Sequence, residues 1–238
     1  MTSAAAPQAM SLKPSLPIEL LPSSFALIFS QIHPATLLSA YYLRFPALVA
    51  NPTSTLLSSL LPLAAIQFLF AVVCLPAVGS NTKAVKKVKL NAPKKADGAV
   101  AGRIFTSFVA LIFTSLSIPL ITLLQILFGA PLTTHLPHTL LSSAHIALLT
   151  VFPLIYVHGS DGRKWREICS LYSPLDEVFG GAVGCFLGAW VGAVPIPLDW
   201  DREWQKWPVT IVTGAYAGYV VGKTMGSWVW RGKRIELE

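Results

Sequence analysis

The chain has 238 residues, of which 53% are hydrophobic and only 12% are charged, and its mean hydropathy is +0.60. Soluble domains carry roughly a quarter charged residues, so this composition excludes an ordinary soluble domain and indicates a membrane protein. The net charge of +7 reflects a lysine cluster in one segment, 79–103, and favours a membrane-topology signal over a nucleic-acid-binding surface.

Six uncharged apolar runs, each near the length of about 20 residues that a membrane-spanning helix needs, follow one another along the chain. They lie at Phe25–Leu43, Thr55–Val78, Ile104–Phe128, Thr139–His158, Val178–Leu198 and Val209–Trp230. We therefore predict an all-α polytopic membrane protein. Its domain of six transmembrane helices covers residues 25–230, between an N-terminal segment, 1–24, and a short tail, 231–238.

Prolines fall inside several of these runs, at Pro34, Pro62, Pro119 and Pro153. A helix bundle in a membrane tolerates them when neighbouring groups satisfy the carbonyls that proline leaves without a donor. Ser115, Ser117 and Thr150 are close to two of these positions and are expected to supply such hydroxyls.

Basic residues are distributed unequally between the loops. One side carries Lys13, Lys83, Lys86, Lys87, Lys89, Lys94, Lys95, Arg103, Arg163, Lys164, Arg166, Arg231, Lys233 and Arg234. The other side has only Arg44, Arg202 and Lys206. Because basic loops remain on the cytosolic side, both termini and the loop 79–103 are predicted to be cytosolic. The N-terminal segment does not resemble a removable signal peptide, so the first run is expected to be an uncleaved anchor.

A few polar residues lie within the apolar runs. Gln31, His33 and His145 are each expected to form interhelical hydrogen bonds, with a proton relay as the alternative. Lys223 lies near the cytosolic end of the last run, and its ammonium is expected to extend toward that surface. The widely separated Cys74, Cys169 and Cys185 predict neither a disulfide framework nor a zinc site.

Glycines recur at strict four-residue spacing in the last two runs. They are Gly180, Gly184, Gly188 and Gly192 in one run and Gly214, Gly218, Gly222 and Gly226 in the other. Four-residue spacing places each series along one helix face, and glycine allows two helix backbones to approach closely in lipid. The pattern predicts a glycine-packed hairpin formed by the final two helices.

The turn between these two helices combines acids, tryptophans and prolines. Its candidate partner- or lipid-binding residues are Pro197, Asp199, Trp200, Asp201, Arg202, Trp204, Trp207 and Pro208. Three carboxylates within five residues could hold a cation, but Arg202 partly neutralises them, and no metal ligand set is predicted. Tryptophans suit the membrane interface, so the turn is either a hairpin anchor or a docking surface for a partner or a lipid head group.

Sequence motifs for catalysis are absent: there is no phosphate-binding Gly-Lys-Ser/Thr loop, no His-Glu-x-x-His and no Gly-x-Ser-x-Gly. The exterior loops of about ten residues are also too short for a separate catalytic domain. We therefore predict no catalytic residue and no cofactor.

The run from Gly188 to Pro208, followed by Gly214 and the segment Gly218-Tyr-Val-Val-Gly222, resembles the PIG-F family of GPI-anchor biosynthesis. The resemblance implies a multi-pass protein of the endoplasmic reticulum membrane. It also implies a non-catalytic accessory subunit that stabilises GPI ethanolamine phosphate transferases of the PIG-O and PIG-G types. Membrane lipid and the GPI precursor are further expected partners.

Two alternatives remain open at the level of sequence. In the first, the turn participates directly, with Asp199 and Asp201 binding a donor head group or metal and Arg202 binding phosphate. In the second, the polar residues within the apolar runs serve lipid transport or scrambling. Six helices without a clear inverted repeat make the second alternative the less favoured one.

Overall fold

The computed structural model describes residues 15–80, 94–198 and 200–235, and within these ranges every regular element is a helix. The α-helices are α1 (Ser24–Ala50), α2 (Pro52–Cys74), α3 (Lys94–Leu127), α4 (Leu136–His158), α5 (Gly162–Cys169), α6 (Glu177–Ala193) and α7 (Val209–Trp228). A single 3-10 turn, Glu203–Gln205, lies between α6 and α7. The all-α prediction is confirmed for these residues.

Each of the six predicted apolar runs overlaps one long helix, and three of the helices are long and apolar enough to cross a membrane. These three segments, found among the described residues, are Pro52–Cys74, Gly98–Leu127 and Leu136–His158. Helix α6 is apolar but has only 17 residues. It ends at Ala193 and not at Leu198, because Pro195 and Pro197 disfavour helical conformation in the residues before them.

Two helical segments occupy regions that were predicted to be cytosolic loops. Helix α3 begins at Lys94, ten residues before the expected start at Ile104. The basic residues after α4 lie in the short amphipathic helix α5, whose first turn is capped by the Asp161 carboxylate accepting from the Arg163 N–H at 2.9 Å. The remaining part of the lysine-rich loop, 81–93, lies outside the described residues, as do 1–14 and 236–238.

Helix α4 is at the centre of the bundle. In its most apolar 18-residue window 72% of residues are buried, against 28% for the corresponding windows of α2 and α3. Two of its buried serines bond to the neighbouring helix α3. The Gln125 amide of α3 donates to Ser143 at 2.6 Å, and its carbonyl accepts from Ser142 at 2.8 Å.

Prolines are accommodated inside four helices, at Pro34, Pro46, Pro62, Pro119 and Pro153. The nearby hydroxyls do not act as expected. Ser115 donates to the Leu111 carbonyl at 3.0 Å, Thr150 donates to the Ile146 carbonyl at 2.7 Å, and Ser117 also bonds within its own helix. These acceptors are not the carbonyls that proline frees, because those lie four residues before each proline.

Three segments of the chain meet at the end of the bundle opposite the α6–α7 turn. The Ile18 N–H donates to the Asp176 carboxylate at 2.9 Å, and Arg231 donates to the Ile18 carbonyl at 3.0 Å. The Leu175 N–H donates to the Lys233 carbonyl at 2.8 Å. The N-terminal segment, the start of α6 and the C-terminal tail are thereby joined.

Candidate functional site

The candidate site is the helical hairpin formed by α6, α7 and the turn that joins them. The two helices run antiparallel with their backbones in direct contact. A Cβ added at Gly188 would lie 2.8 Å from the Cα of Gly218, and one added at Gly184 would lie 2.7 Å from the Cα of Gly222. Such separations leave no room for a side chain, so glycine is required at these positions.

All eight glycines at four-residue spacing lie along this contact. The positions are Gly180, Gly184, Gly188, Gly192, Gly214, Gly218, Gly222 and Gly226, and at each an added Cβ would come within 3.0 Å of backbone atoms of the opposite segment. We call this line of contact the glycine seam. On α3, by contrast, an added Cβ at Gly98 or Gly102 would meet no heavy atom within 4 Å.

A buried ion pair flanks the seam at the end away from the turn. Lys223 Nζ lies 2.7 Å from Glu177 Oε2, and the Ser227 hydroxyl donates to Glu177 Oε1 at 3.0 Å. The Lys223 and Glu177 side chains are only 2% and 5% exposed. The expectation that Lys223 reaches the surface is therefore wrong, because the first residue of α6 provides a carboxylate inside the bundle.

The ion pair also contacts α1 and α2 through aromatic and polar groups. Lys223 Nζ lies 3.8 Å from the centre of the Phe70 ring, which stacks on His33 at 4.2 Å. Neither His33 nitrogen and neither amide atom of the buried Gln67 has a hydrogen-bond partner among the described residues. His33 and Gln67 nevertheless lie next to each other on α1 and α2, the two helices that the expected bond of His33 would join. Gln31 is exposed on α1.

His145 does form interhelical hydrogen bonds, as predicted. Its Nε2 lies 3.0 Å from the Leu56 carbonyl oxygen, and its Nδ1 lies 2.8 Å from the Tyr216 hydroxyl. Because a carbonyl can only accept, Nε2 carries the proton and the Tyr216 hydroxyl donates to Nδ1. Helices α2, α4 and α7 are joined through this one imidazole.

Gln205 holds the turn in one shape. Its amide nitrogen donates to the carbonyls of Pro195 and Leu198 at 2.8 and 2.9 Å, and its amide oxygen accepts from the Arg202 N–H at 2.9 Å. The sequence reasoning missed this residue. The sequence did contain a signal for Gln205: it is the one uncharged amide in a turn whose other polar side chains are mostly charged.

The turn presents some predicted site residues outward. Pro197, Trp200, Asp201 and Arg202 are exposed, with Trp200 at 53%. Asp201 has a φ of 48°, in the left-handed region that aspartate tolerates better than most residues. Asp199, the remaining acid predicted here, lies outside the described residues.

The other predicted turn residues are directed toward the bundle. Trp204 and Trp207 are half-buried against the apolar core at this end, and Trp204 meets Trp200 edge-on with ring centres 5.9 Å apart. Pro208 is buried and follows a cis peptide bond. The tryptophans therefore anchor the turn on one side and leave its other side, at Trp200, exposed.

Comparison with known proteins decides the family. A sequence model described as "GPI biosynthesis protein family Pig-F" matches residues 32–227, which is most of the chain. The chain belongs to the Pig-F family of GPI biosynthesis proteins. The match contains the glycine seam, the ion pair and the turn, so the whole candidate site lies within the family region.

Three fungal relatives of this Pig-F family member are named glycosylphosphatidylinositol anchor biosynthesis protein 11. The Neurospora crassa protein is 48% identical over 203 residues, covering 85% of this chain and 75% of the relative. The Aspergillus fumigatus protein is 42% identical, covering 95% of this chain and 88% of the relative. The Saccharomyces cerevisiae protein is 40% identical over 110 residues, or 45% of this chain and 44% of the relative. No solved structure matches the chain.

One ion pair forms within the turn. Lys206 Nζ lies 2.9 Å from Glu203 Oε2, and this ammonium holds the pKa of the Glu203 carboxyl below its ordinary value. Within residues 15–80, 94–198 and 200–235, no group of three His, Cys, Asp or Glu side chains could hold a metal ion. The turn of this Pig-F protein therefore presents a shaped, exposed surface at Pro197, Trp200, Asp201 and Arg202.

Proposed function

We propose that this protein is a non-catalytic accessory subunit of the GPI ethanolamine phosphate transferases in the endoplasmic reticulum membrane. In this role it stabilises catalytic subunits of the PIG-O and PIG-G types, which add ethanolamine phosphate to mannose residues of the GPI precursor. Membership of the Pig-F family supports a role in GPI biosynthesis. The observation that carries the accessory role is the glycine seam, which ends in a turn with a fixed, exposed surface.

The proposed topology has six membrane-spanning helices, α1 to α4, α6 and α7, with both termini in the cytosol. Three of them meet the length and composition of a span, and α1 and α7 have 27 and 20 residues. Basic residues of α5 and of the C-terminal tail lie at the end opposite the turn, as expected for the cytosolic side. The turn then faces the lumen.

Docking is the proposed mechanism of stabilisation. The seam prevents α6 and α7 from separating, so the turn keeps one shape and binds without a large ordering cost. Trp200 provides apolar area, while Asp201 and Arg202 provide charged hydrogen-bonding groups. Outward faces of the long helices contact the spans of the catalytic subunit or lipid. In the resulting complex, the catalytic subunit transfers the ethanolamine phosphate.

Depletion of this protein tests the proposed step. Labelled GPI precursors are profiled by mass after depletion. We expect accumulation of species that lack ethanolamine phosphate on a mannose, and re-expression of the intact protein should restore the normal profile. An unchanged profile in depleted cells would contradict a role in this transfer.

Substitutions in the turn separate docking from direct participation. Asp201→Asn and Asp199→Asn keep side-chain volume and remove one charge each. If the turn docks the partner, these variants lose co-purified catalytic subunit and activity together. Loss of activity with an intact complex would instead favour direct binding of the donor head group or a metal.

A further inference from the structure

A crevice between α1 and α2 opens at the surface of the bundle, at the same end as the turn. It contains a cavity of about 40 Å³ and is lined by apolar residues that include Leu37, Leu63 and Ile66, with Arg44 at its outer end. Its position is set by α7, because the Tyr41 hydroxyl beside it lies 2.7 Å from the hydroxyl of Thr213, one turn into α7.

The polar groups at the inner wall of the crevice already have partners. Tyr41 stacks on Tyr216 with ring centres 4.6 Å apart, and its hydroxyl is paired with Thr213. The Tyr216 hydroxyl and both nitrogens of His145 are also used, as described above. A ligand in the crevice therefore meets an inner wall with few free hydrogen-bonding groups.

Arg44 differs from these inner residues. It is exposed, it donates to the Ser58 hydroxyl, and no carboxylate among the described residues lies within 4.0 Å of it. A guanidinium carries five N–H donors, so most of them remain available after one hydrogen bond. Arginine is well suited to phosphate because its planar donors match two phosphate oxygens.

Pro62 explains why the crevice can remain open. It lies inside α2 on the wall of the crevice, and its ring cannot supply the N–H that would bond the Ser58 carbonyl. Proline commonly bends a helix at such a position. Ala40 on the facing side of α1 is small, so the two helices leave a gap there.

We propose that this crevice binds one glycerophospholipid molecule, with its phosphate on Arg44 and the first part of an acyl chain along Leu37, Leu63 and Ile66. A cation beside an apolar gap complements a molecule that carries a phosphate above a hydrocarbon chain. The cavity admits only a short length of chain, and the remainder lies along the outer surface of α2. The inference goes beyond the accessory function and does not depend on a transferase partner.

Photochemical labelling of the full chain in nanodiscs tests the lipid site. The discs contain phosphatidylcholine and a trace of phosphatidylethanolamine whose chain carries a diazirine near the ester. We expect labelled peptides from the α2 segment 55–66 above the level on the exposed face of α3. Arg44→Gln should lower labelling of that segment about tenfold and leave labelling of α3 unchanged.

Two matched pairs of variants provide the controls. Ala40→Phe fills the crevice and should abolish labelling of 55–66, whereas Ser39→Phe at the neighbouring exposed position should not. Lys206→Gln removes a cation from the same end of the bundle and should have no effect. A diacylglycerol probe with the same diazirine should label this segment weakly and be insensitive to Arg44→Gln.

The proposal would be overturned if segment 55–66 were labelled no more than α3, or if Arg44→Gln left the labelling unchanged. Equal labelling by the diacylglycerol and phospholipid probes would also contradict it, because phosphate would then not contribute. Failure of this test leaves the depletion profile of GPI precursors unaffected, so the two proposals stand or fall separately.

Discussion

Gln205 shows how one uncharged side chain can organise a turn that is rich in charge. The amide has a donor and an acceptor at the same end, so it can bond two carbonyls and one N–H at once. A carboxylate of similar size lacks the donors and would repel both carbonyls. Asp201, Arg202 and Glu203 are exposed, whereas Gln205 is buried.

Replacement of Gln205 by Leu should loosen the turn. Three backbone groups lose their partner, and we expect the local opening free energy to fall by about 2 kcal/mol. Hydrogen exchange of the amides of 195–208 measures this change. Glu203→Gln is the matched control, because Glu203 is exposed and bonds only Lys206. Equal exchange in both variants would show that Gln205 does not hold the turn.

Breaking the buried ion pair of Lys223 and Glu177 should cost more folding stability than breaking an exposed ion pair. Lys223→Met leaves a carboxylate buried beside Ser227 alone, and we expect a loss of about 3–5 kcal/mol. The double variant Lys223→Met/Glu177→Leu should recover a large part of that loss, because no unpaired charge remains buried. Thermal unfolding of the purified protein in detergent measures both effects.

Lys206→Met provides the comparison for this prediction. Its ion pair with Glu203 is exposed, and exposed pairs contribute about 0–1 kcal/mol. Similar small shifts in unfolding temperature for Lys223→Met and Lys206→Met would mean that burial of the Lys223 charge has little consequence for stability.

At the scale of elements, the glycine seam determines how α6 and α7 pack. Lipid tails are as apolar as the helix surface, so association in a membrane depends on close contact more than on burial. Glycine at every fourth position allows backbone atoms of both helices to touch over the whole length of the hairpin. The outward face of α3 lacks such a contact at Gly98 and Gly102.

Gly218→Leu should separate the two helices. An added side chain meets the backbone of Gly184 and Gly188, and we expect a loss of about 3 kcal/mol or more. Gly102→Leu is the matched control, since an added Cβ there meets nothing within 4 Å. Thermal unfolding measures the stability of both variants, and co-purification with the proposed catalytic subunit measures their binding. Equal stability of both variants would refute a packing role for the seam.

At the scale of the whole molecule, α4 forms the centre and the chain ends meet at one pole. The N-terminal segment, the start of α6 and the C-terminal tail are joined by backbone and arginine contacts, while the turn lies at the opposite pole. At one pole, basic residues are concentrated and these three segments are joined. The opposite pole carries the exposed turn. This polarity is what a fixed orientation in a membrane requires.

Cysteine labelling tests that orientation. Cys169 is exposed on α5, whereas Cys74 and Cys185 are buried, so a membrane-impermeant maleimide should label only Cys169 in sealed microsomes. In a Cys169→Ser background, Glu203→Cys should be labelled only after detergent opens the lumen. Labelling of both positions before detergent would contradict the proposed topology.

Several features of the fold could be predicted from residues alone. The six apolar runs each overlap a helix, and the interhelical role of His145 follows from a polar ring in an apolar run. Helix α5 and the early start of α3 were missed, because both lie in basic segments without a long apolar run. The partner of Lys223 was also missed, since Glu177 lies 46 residues away in sequence.

The sequence by itself determined the all-helical class, the family and the periodic glycines, because hydropathy, motif and four-residue spacing are properties of local stretches of chain. Only the tertiary structure decided which groups meet: Gln205 with three turn backbone groups, Lys223 with Glu177, and Arg44 beside an apolar crevice. Those contacts depend on how distant helices pack, and packing follows from the shapes of all the helices together.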